Sequence, residues 1–258
     1  MMRRIGHSRM RGPALAAALL AGIWTTACAA ASTLVAAASN FADTLNVLGK
    51  QFERQQPHTV TVTLGSTGKL YAQIINGAPY DIFLSADQAR AAQLVQDGLG
   101  ETASRFTYAV GRVAIWSRQP GLIKGPDPFR ILGQSQYRAI AIANPRTAPY
   151  GEASRAALKA LGLWRDLKPK IVMGQNIGQT FTLIASGNAE LGFVAASQLA
   201  LRPEGSHWIV PARFHPPIRQ DGVLLRRARH NPAALAFYEF LKTTEARATI
   251  VGHGYGTE

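Results

Sequence analysis

Four short segments of this chain gather hydroxyls, amides and glycines with no carboxylate among them: Ala38-Ser39-Asn40, Gly65-Ser66-Thr67-Gly68, Ala148-Pro149-Tyr150-Gly151 and Gln175-Asn176-Ile177-Gly178. Each follows an apolar run and precedes a helical pattern. Backbone N–H groups at a helix start lack intrahelical acceptors and carry partial positive charge, so such turns suit an anion. A carboxylate there would repel one. Ser, Thr, Asn and Gly are also ordinary helix caps, so a single turn of this kind carries little weight.

Several other chemistries fail on spacing. Gly68-Lys69 looks like the tail of a Walker loop, but the required earlier glycine is Thr63, and Leu70 stands where Ser or Thr is needed. No G-x-S-x-G elbow is present. His58, His207, His215, His230 and His253 lack metal-ligand spacing and have no thiols beside them, so they read as surface or loop residues and no direct metal ligand is expected. Asp81 and Asp87 flank a short apolar run and read as structural caps rather than an acid–base pair. Lys69 reads as a solvated helix position.

The elements that must position the turns follow from periodicity. Val60, Val62 and Leu64 alternate with threonines, the period of a strand. Leu70 and Ile74 then share a helix face, Gly77-Ala78-Pro79 ends that helix, and Ile82-Phe83-Leu84 is a buried strand. Residues 33–38 are a first strand, with Ser39 or Asn40 as N-cap of a helix through Phe41, Leu45, Leu48 and Phe52. Ser85 and Gln88 fit a capping box, and Asn231-Pro232 fits a cap with Pro at the first helical position. Residues 108–117, 138–143, 170–173, 191–195, 208–210 and 223–225 read as further strands. Residues 119–128 and 215–222 read as Pro-rich breaks.

Residues 1–31 differ from the rest. Arg3, Arg4, Arg9 and Arg11 precede an apolar run at 14–24 and small residues at 27–31, the layout of a secretory signal peptide. The run is too short for a membrane span. The single cysteine, Cys28, lies in this exit region, where Thr25 and Thr26 make a poor lipid-anchor context; the mature chain would carry no disulfide. Of the 28 basic residues the leader holds four, leaving 24 against 15 acidic ones. The basic balance suggests nucleic acid, but the secretion signal and the scatter of the charges argue against it. A basic surface also raises the encounter rate of small anions.

Strands alternate with helices throughout, so the expected class is α/β with mostly parallel sheets. Breaks near residues 108–111 and 216–222 divide it into two doubly wound lobes: residues 32–109 with 221–258, and residues 110–220. A ligand would sit in the cleft between lobes, at strand C-terminal ends.

The AAASN start, the block GSTGKLYAQIINGAPYDIFLSAD, NPRTAPYG, and NIGQTFTLIASGNAELGFVAASQ resemble the molybdate-binding periplasmic proteins of ABC transporters over nearly the whole mature chain. The resemblance implies a type II periplasmic-binding fold, molybdate or tungstate as ligand with no further cofactor, a periplasmic location, and delivery by a monomer to a membrane permease. It also implies oxyanion contacts at Ser39, at Asn40 through its backbone, at Thr67, and at Tyr150 and Ile177 through backbone N–H. One branch of that family uses a tyrosine where this chain has Ala195, so that contact is lost or supplied by Tyr150. Alternatives are another tetrahedral oxyanion such as sulfate or phosphate, a small organic acid, a secreted enzyme on the same scaffold, or an attached interaction protein. An enzyme would need a base or nucleophile in the cleft, and none is evident.

Overall fold

The computed structural model describes residues 30–124, 128–133, 137–200, 202 and 204–257. The leader read over residues 1–31 lies outside them except for its last two residues, and so does Cys28. Residues 125–127 of the first Pro-rich break also lie outside. Among the described residues no helix is long and apolar enough to cross a membrane.

The first half of the chain is β1 (Ser32–Ala38), α1 (Ala42–Gln55), β2 (Thr59–Gly65), α2 (Thr67–Ile75), β3 (Ile82–Leu84), α3 (Gln88–Gln96) and β4 (Phe106–Gly111). The middle is β5 (Val113–Ser117), β6 (Ile140–Ala143), α4 (Pro149–Ala160), α5 (Trp164–Leu167), β7 (Ile171–Gly174), α6 (Ile177–Ala185), β8 (Leu191–Ala195), α7 (Ala196–Ala200) and β9 (Ser206–Ile209). The end is β10 (Ile218–Leu224), α8 (Pro232–Phe240) and α9 (Thr244–Gly252).

These strands form two five-stranded sheets, ordered β2-β1-β3-β10-β4 and β7-β6-β8-β5-β9. The central strands are covered on both faces, which is why β1, β3, β5, β6 and β8 read as continuous apolar runs, whereas the edge strand β2 alternates and leaves Val62 and Leu64 exposed. Val35 and Ala37 of β1 pack with Phe41, Leu45 and Phe237 on one face, while Ala36 packs with Leu70, Ile74 and Leu94 on the other. In the second sheet Val113, Ile115, Ile140 and Ile142 face Ala153, Ala157 and Leu158 of α4. Ala114, Trp116 and Ala141 face Ile184 of α6. The result is a two-lobed α/β fold.

The sheets are mixed rather than mostly parallel. β1 runs parallel to β2 and β3, and β6 to β7 and β8. β10 is antiparallel to β3 and β4, and β5 to β8 and β9. The antiparallel strands are those next to the two crossings between sheets, where the chain enters without a returning helix. The first crossing falls at Arg112, so the region read as one strand over 108–117 is two strands in different sheets. β4 runs two residues past the division drawn at 109/110, and β10 starts three residues before 221.

The second Pro-rich break also differs, because β10 occupies most of it. Gln220 and Asp221 lie inside that strand and are buried, 0% and 1% exposed. Asp221 accepts from Thr107 Oγ1 (2.7 Å), Arg105 (2.9 Å) and Gln88 Nε2 (3.1 Å). Gln220 accepts from Asn40 Nδ2 (2.8 Å) and Tyr108 OH (3.1 Å). Tertiary partners satisfy polar groups that a local pattern reads as loop.

Two caps are corrected. A 3-10 turn, Ser39–Phe41, precedes α1, and neither Ser39 nor Asn40 caps it with a side chain. The cap of α3 is Asp87, whose Oδ1 accepts from Arg90 N at 2.9 Å; Ser85 Oγ only braces it, accepting from Asp87 N. Asn231 caps α8 as expected, accepting from Ala233 N and Ala234 N. His58, His215 and His253 are buried rather than surface residues, whereas His207 and His230 are exposed. His253 Nδ1 pairs with Thr44 Oγ1 at 2.9 Å, and His58 stacks on Phe52.

Candidate functional site

Parallel strands that end abreast bring their following turns together. β1 and β2 finish as neighbours at Ala38 and Gly65, and β6 and β7 at Ala143 and Gly174. All four turns singled out in the sequence therefore open toward one seam between the lobes. Ser39, Asn40, Thr67, Tyr150 and Ile177 line a single cavity there, together with Ala38, Gly65, Ser66, Ala86, Ala148 and Pro149. The cavity is small, about 10 Å³. That is close to the least space that holds one water molecule, so a ligand must be compact and closely wrapped by its lining.

The two hydroxyls are oriented by backbone. Ser39 Oγ accepts from Gly178 N at 3.1 Å, across the seam from the other lobe. Thr67 Oγ1 accepts from Ala86 N at 3.0 Å. One acceptor lone pair is occupied in each case, and each hydroxyl keeps its proton to offer a ligand. Thr67 and Ile177 are the first residues of α2 and α6, and Tyr150 is the second of α4, so their N–H groups have no intrahelical acceptor. In α6 the next donors are already used: Gly178 N by Ser39, and Gln179 N by Asn176 Oδ1 at 2.9 Å.

Asn40 offers its backbone. Its Nδ2 is committed to Gln220 Oε1 (2.8 Å) and Tyr255 OH (3.0 Å). Its carbonyl accepts from Tyr255 OH (2.7 Å) and Ser197 Oγ (3.2 Å).

The Tyr150 side chain is also engaged within the protein. Its hydroxyl accepts from Gln220 Nε2 at 3.4 Å and fills the place where any Cβ on Gly111 would lie. It thus sits between β4 and β10, the strands beside the two crossings. Burial pushes the Tyr150 phenol well above its usual range, with Tyr255 adding to the effect and Gln220 opposing it. The Tyr108 phenol is raised too, mainly by burial. Both remain neutral hydrogen-bonding groups. Ala195 is fully buried; its N–H donates to Gln198 Oε1 at 3.0 Å, and it does not line the cavity.

No ionisable Asp, Glu, Lys, Arg or His side chain lines the cavity. A larger hollow beside it, about 260 Å³, shares Ala86 and Pro149 but carries Asp87 and Glu152, which disfavour an anion. No group of three or more potential metal ligands occurs among the described residues. Lys69 is not simply solvated: its ammonium donates to Gln175 Oε1 across the seam. Gly68 N donates to Thr147 O at 2.8 Å, and Arg202 pairs with Asp43 at 2.7 Å. These contacts hold the lobes closed.

Ala86 is the lining residue that sequence reasoning missed most clearly. It lies two residues past the end of β3, beside the turns that follow β1 and β2, in a segment whose sequence reads as a capping box at Ser85–Gln88. Gln220 was missed because it lies in the segment read as a break.

A neutral, donor-lined cavity closed between two α/β lobes defines a two-lobed solute-binding protein. The chain matches the family described as bacterial extracellular solute-binding protein over residues 33–256 and belongs to it. Among its relatives is the molybdate-binding protein ModA of Azotobacter vinelandii, 42% identical over 247 residues, covering 95% of this chain and 97% of the relative. The molybdate-binding protein ModA of Rhodobacter capsulatus is 41% identical, covering 96% and 97%. The solved structure of the periplasmic molybdate-binding protein of Azotobacter vinelandii superimposes with a TM-score of 0.84 at 39% identity, covering 88% of this chain and 99% of that one.

Proposed function

We propose that this chain captures molybdate or tungstate between its lobes and delivers it to the permease of an ABC transporter. Its relatives carry molybdate in their names at 41–42% identity over nearly the full chain, which supports the ligand. The observation that carries the mechanism is the convergence of Ser39, Asn40, Thr67, Tyr150 and Ile177 on one cavity without a charged side chain. These five residues hold the oxyanion. Location in the periplasm, export by the leader and action as a monomer complete the reading. The protein acts as a carrier, in keeping with relatives that are named for binding.

A dianion entering the cavity exchanges water for hydrogen bonds to neutral groups. Each hydrogen bond to a charged partner contributes roughly 1.5–3 kcal/mol. The N-termini of α2, α4 and α6 add favourable dipoles. Donors come from both lobes, so the anion binds the closed form better than the open one and shifts the population toward closure. The permease reads closure.

A lining of donors also selects. Hydrogen phosphate carries an O–H that must find an acceptor; Ser39 Oγ and Thr67 Oγ1 already accept from Gly178 N and Ala86 N, which leaves few acceptors beside the Asn40 amide oxygen and the Ser66 hydroxyl, and an unpaired buried polar group is costly. Sulfate is fully deprotonated but smaller, and is rejected by fit. Thermal unfolding with each anion in turn tests this. At a thousandfold excess over Kd, molybdate and tungstate are expected to stabilise by about 4 kcal/mol, roughly 8–16 °C in Tm for a chain of this size. Larger shifts with sulfate or phosphate would overturn the ligand assignment.

A further inference from the structure

Three buried side-chain atoms have no hydrogen-bond partner among the described residues: Asn40 Oδ1, Ser66 Oγ and Thr147 Oγ1. Thr147 does not line the cavity, and Asn40 Oδ1 can only accept. Ser66 is different. It lines the cavity, is 3% exposed, and carries a proton to donate. It is also the N-cap residue of α2, where a serine ordinarily accepts from the first turn, yet its side chain makes no capping bond. A hydroxyl kept from water, from its own helix and from any neighbour loses free energy unless something else completes it.

We propose that Ser66 Oγ–H is a further direct donor to the bound oxyanion, a third hydroxyl beside Ser39 and Thr67. This rests on the reading of the cavity as an oxyanion site and adds a residue to it. The backbone supports the assignment. Ser66 has extended dihedrals, φ −78° and ψ 145°, and sits directly before Thr67, whose N–H begins the helix. Ser66 and Thr67 would then grip the anion as a pair of consecutive hydroxyls. Ser39 and Thr67 are held as donors by Gly178 N–H and Ala86 N–H. The Ser66 hydroxyl is free to rotate until the ligand arrives.

The test is calorimetric titration of molybdate into the wild type, Ser66→Ala, Ser66→Cys and Ser39→Ala, with the Tm of each ligand-free protein. Cysteine fills the space of the hydroxyl, with a slightly larger atom, but donates weakly. Both Ser66 variants are expected to lose about ten- to a hundredfold in affinity. Their ligand-free Tm should be unchanged or slightly higher, because no protein partner is lost. Unchanged affinity in both, with Ser39→Ala weakened, overturns the role of Ser66 and leaves the site reading standing. A loss in the alanine variant alone would mean Ser66 fills space, which also overturns it. A lowered Tm with unchanged affinity would assign Ser66 to stability instead. If Ser39→Ala is silent too, or the wild type binds no molybdate, the site reading fails and takes this proposal with it.

Discussion

Replacing Ser39 and Thr67 together by alanine is expected to weaken molybdate binding by roughly a hundredfold to ten-thousandfold. Each hydroxyl donates to a charged ligand, a bond of about 1.5–3 kcal/mol, and about 1.4 kcal/mol is a factor of ten in Kd. The double substitution also strips acceptors from Gly178 N and Ala86 N, which Ser39 Oγ and Thr67 Oγ1 now satisfy. Part of the loss should therefore appear as a lower ligand-free Tm, and calorimetry with thermal unfolding separates the two. An affinity equal to the wild type would remove both residues from the site.

The second large effect lies at the crossing strands. A Cβ on Gly111 would overlap the Tyr150 hydroxyl and come within 2.9 Å of Tyr150 Cζ and 2.8 Å of Gln220 Nε2. Neither side chain has anywhere to go: Tyr150 is 2% exposed and Gln220 0%. Overpacking of this kind costs about 1–3 kcal/mol. Gly111→Ala is thus expected to lower Tm by roughly 3–10 °C. It should also weaken ligand binding, because displacing the Tyr150 ring displaces the start of α4, whose N–H groups face the cavity. Tyr150→Phe removes the overlapping oxygen. In the Gly111→Ala background it should restore part of the lost Tm, and the coupling in that double-mutant cycle is the diagnostic quantity. Strict additivity would mean that the hydroxyl does not occupy the space the geometry assigns it.

The way Tyr150 is held explains why the site was only partly legible in sequence. The turns at Ser39, Thr67, Tyr150 and Ile177 were readable because each sits where an apolar strand gives way to a helical period, a local pattern. Their convergence followed from one topological rule about strand ends. Ala86 escaped because its N–H, which any residue but proline carries, is all it contributes to the site. Gln220 and Asp221 escaped for the opposite reason. Two polar residues after Pro216-Pro217 look like loop, and only partners more than 65 residues away in sequence, such as Tyr150, Asn40 and Arg105, make burial tolerable. Strand direction was misjudged because no local pattern separates a parallel buried strand from an antiparallel one. The buried histidines were misjudged likewise, since Thr44 lies 209 residues from His253.

The most direct measurement is a crystal structure of the molybdate complex with data collected at the molybdenum absorption edge. The account predicts one anomalous peak, in the seam, within hydrogen-bond reach of the Ser39 and Thr67 hydroxyls and the Tyr150 and Ile177 N–H groups. A peak anywhere else on the molecule, or none in crystals soaked to saturation, would contradict it.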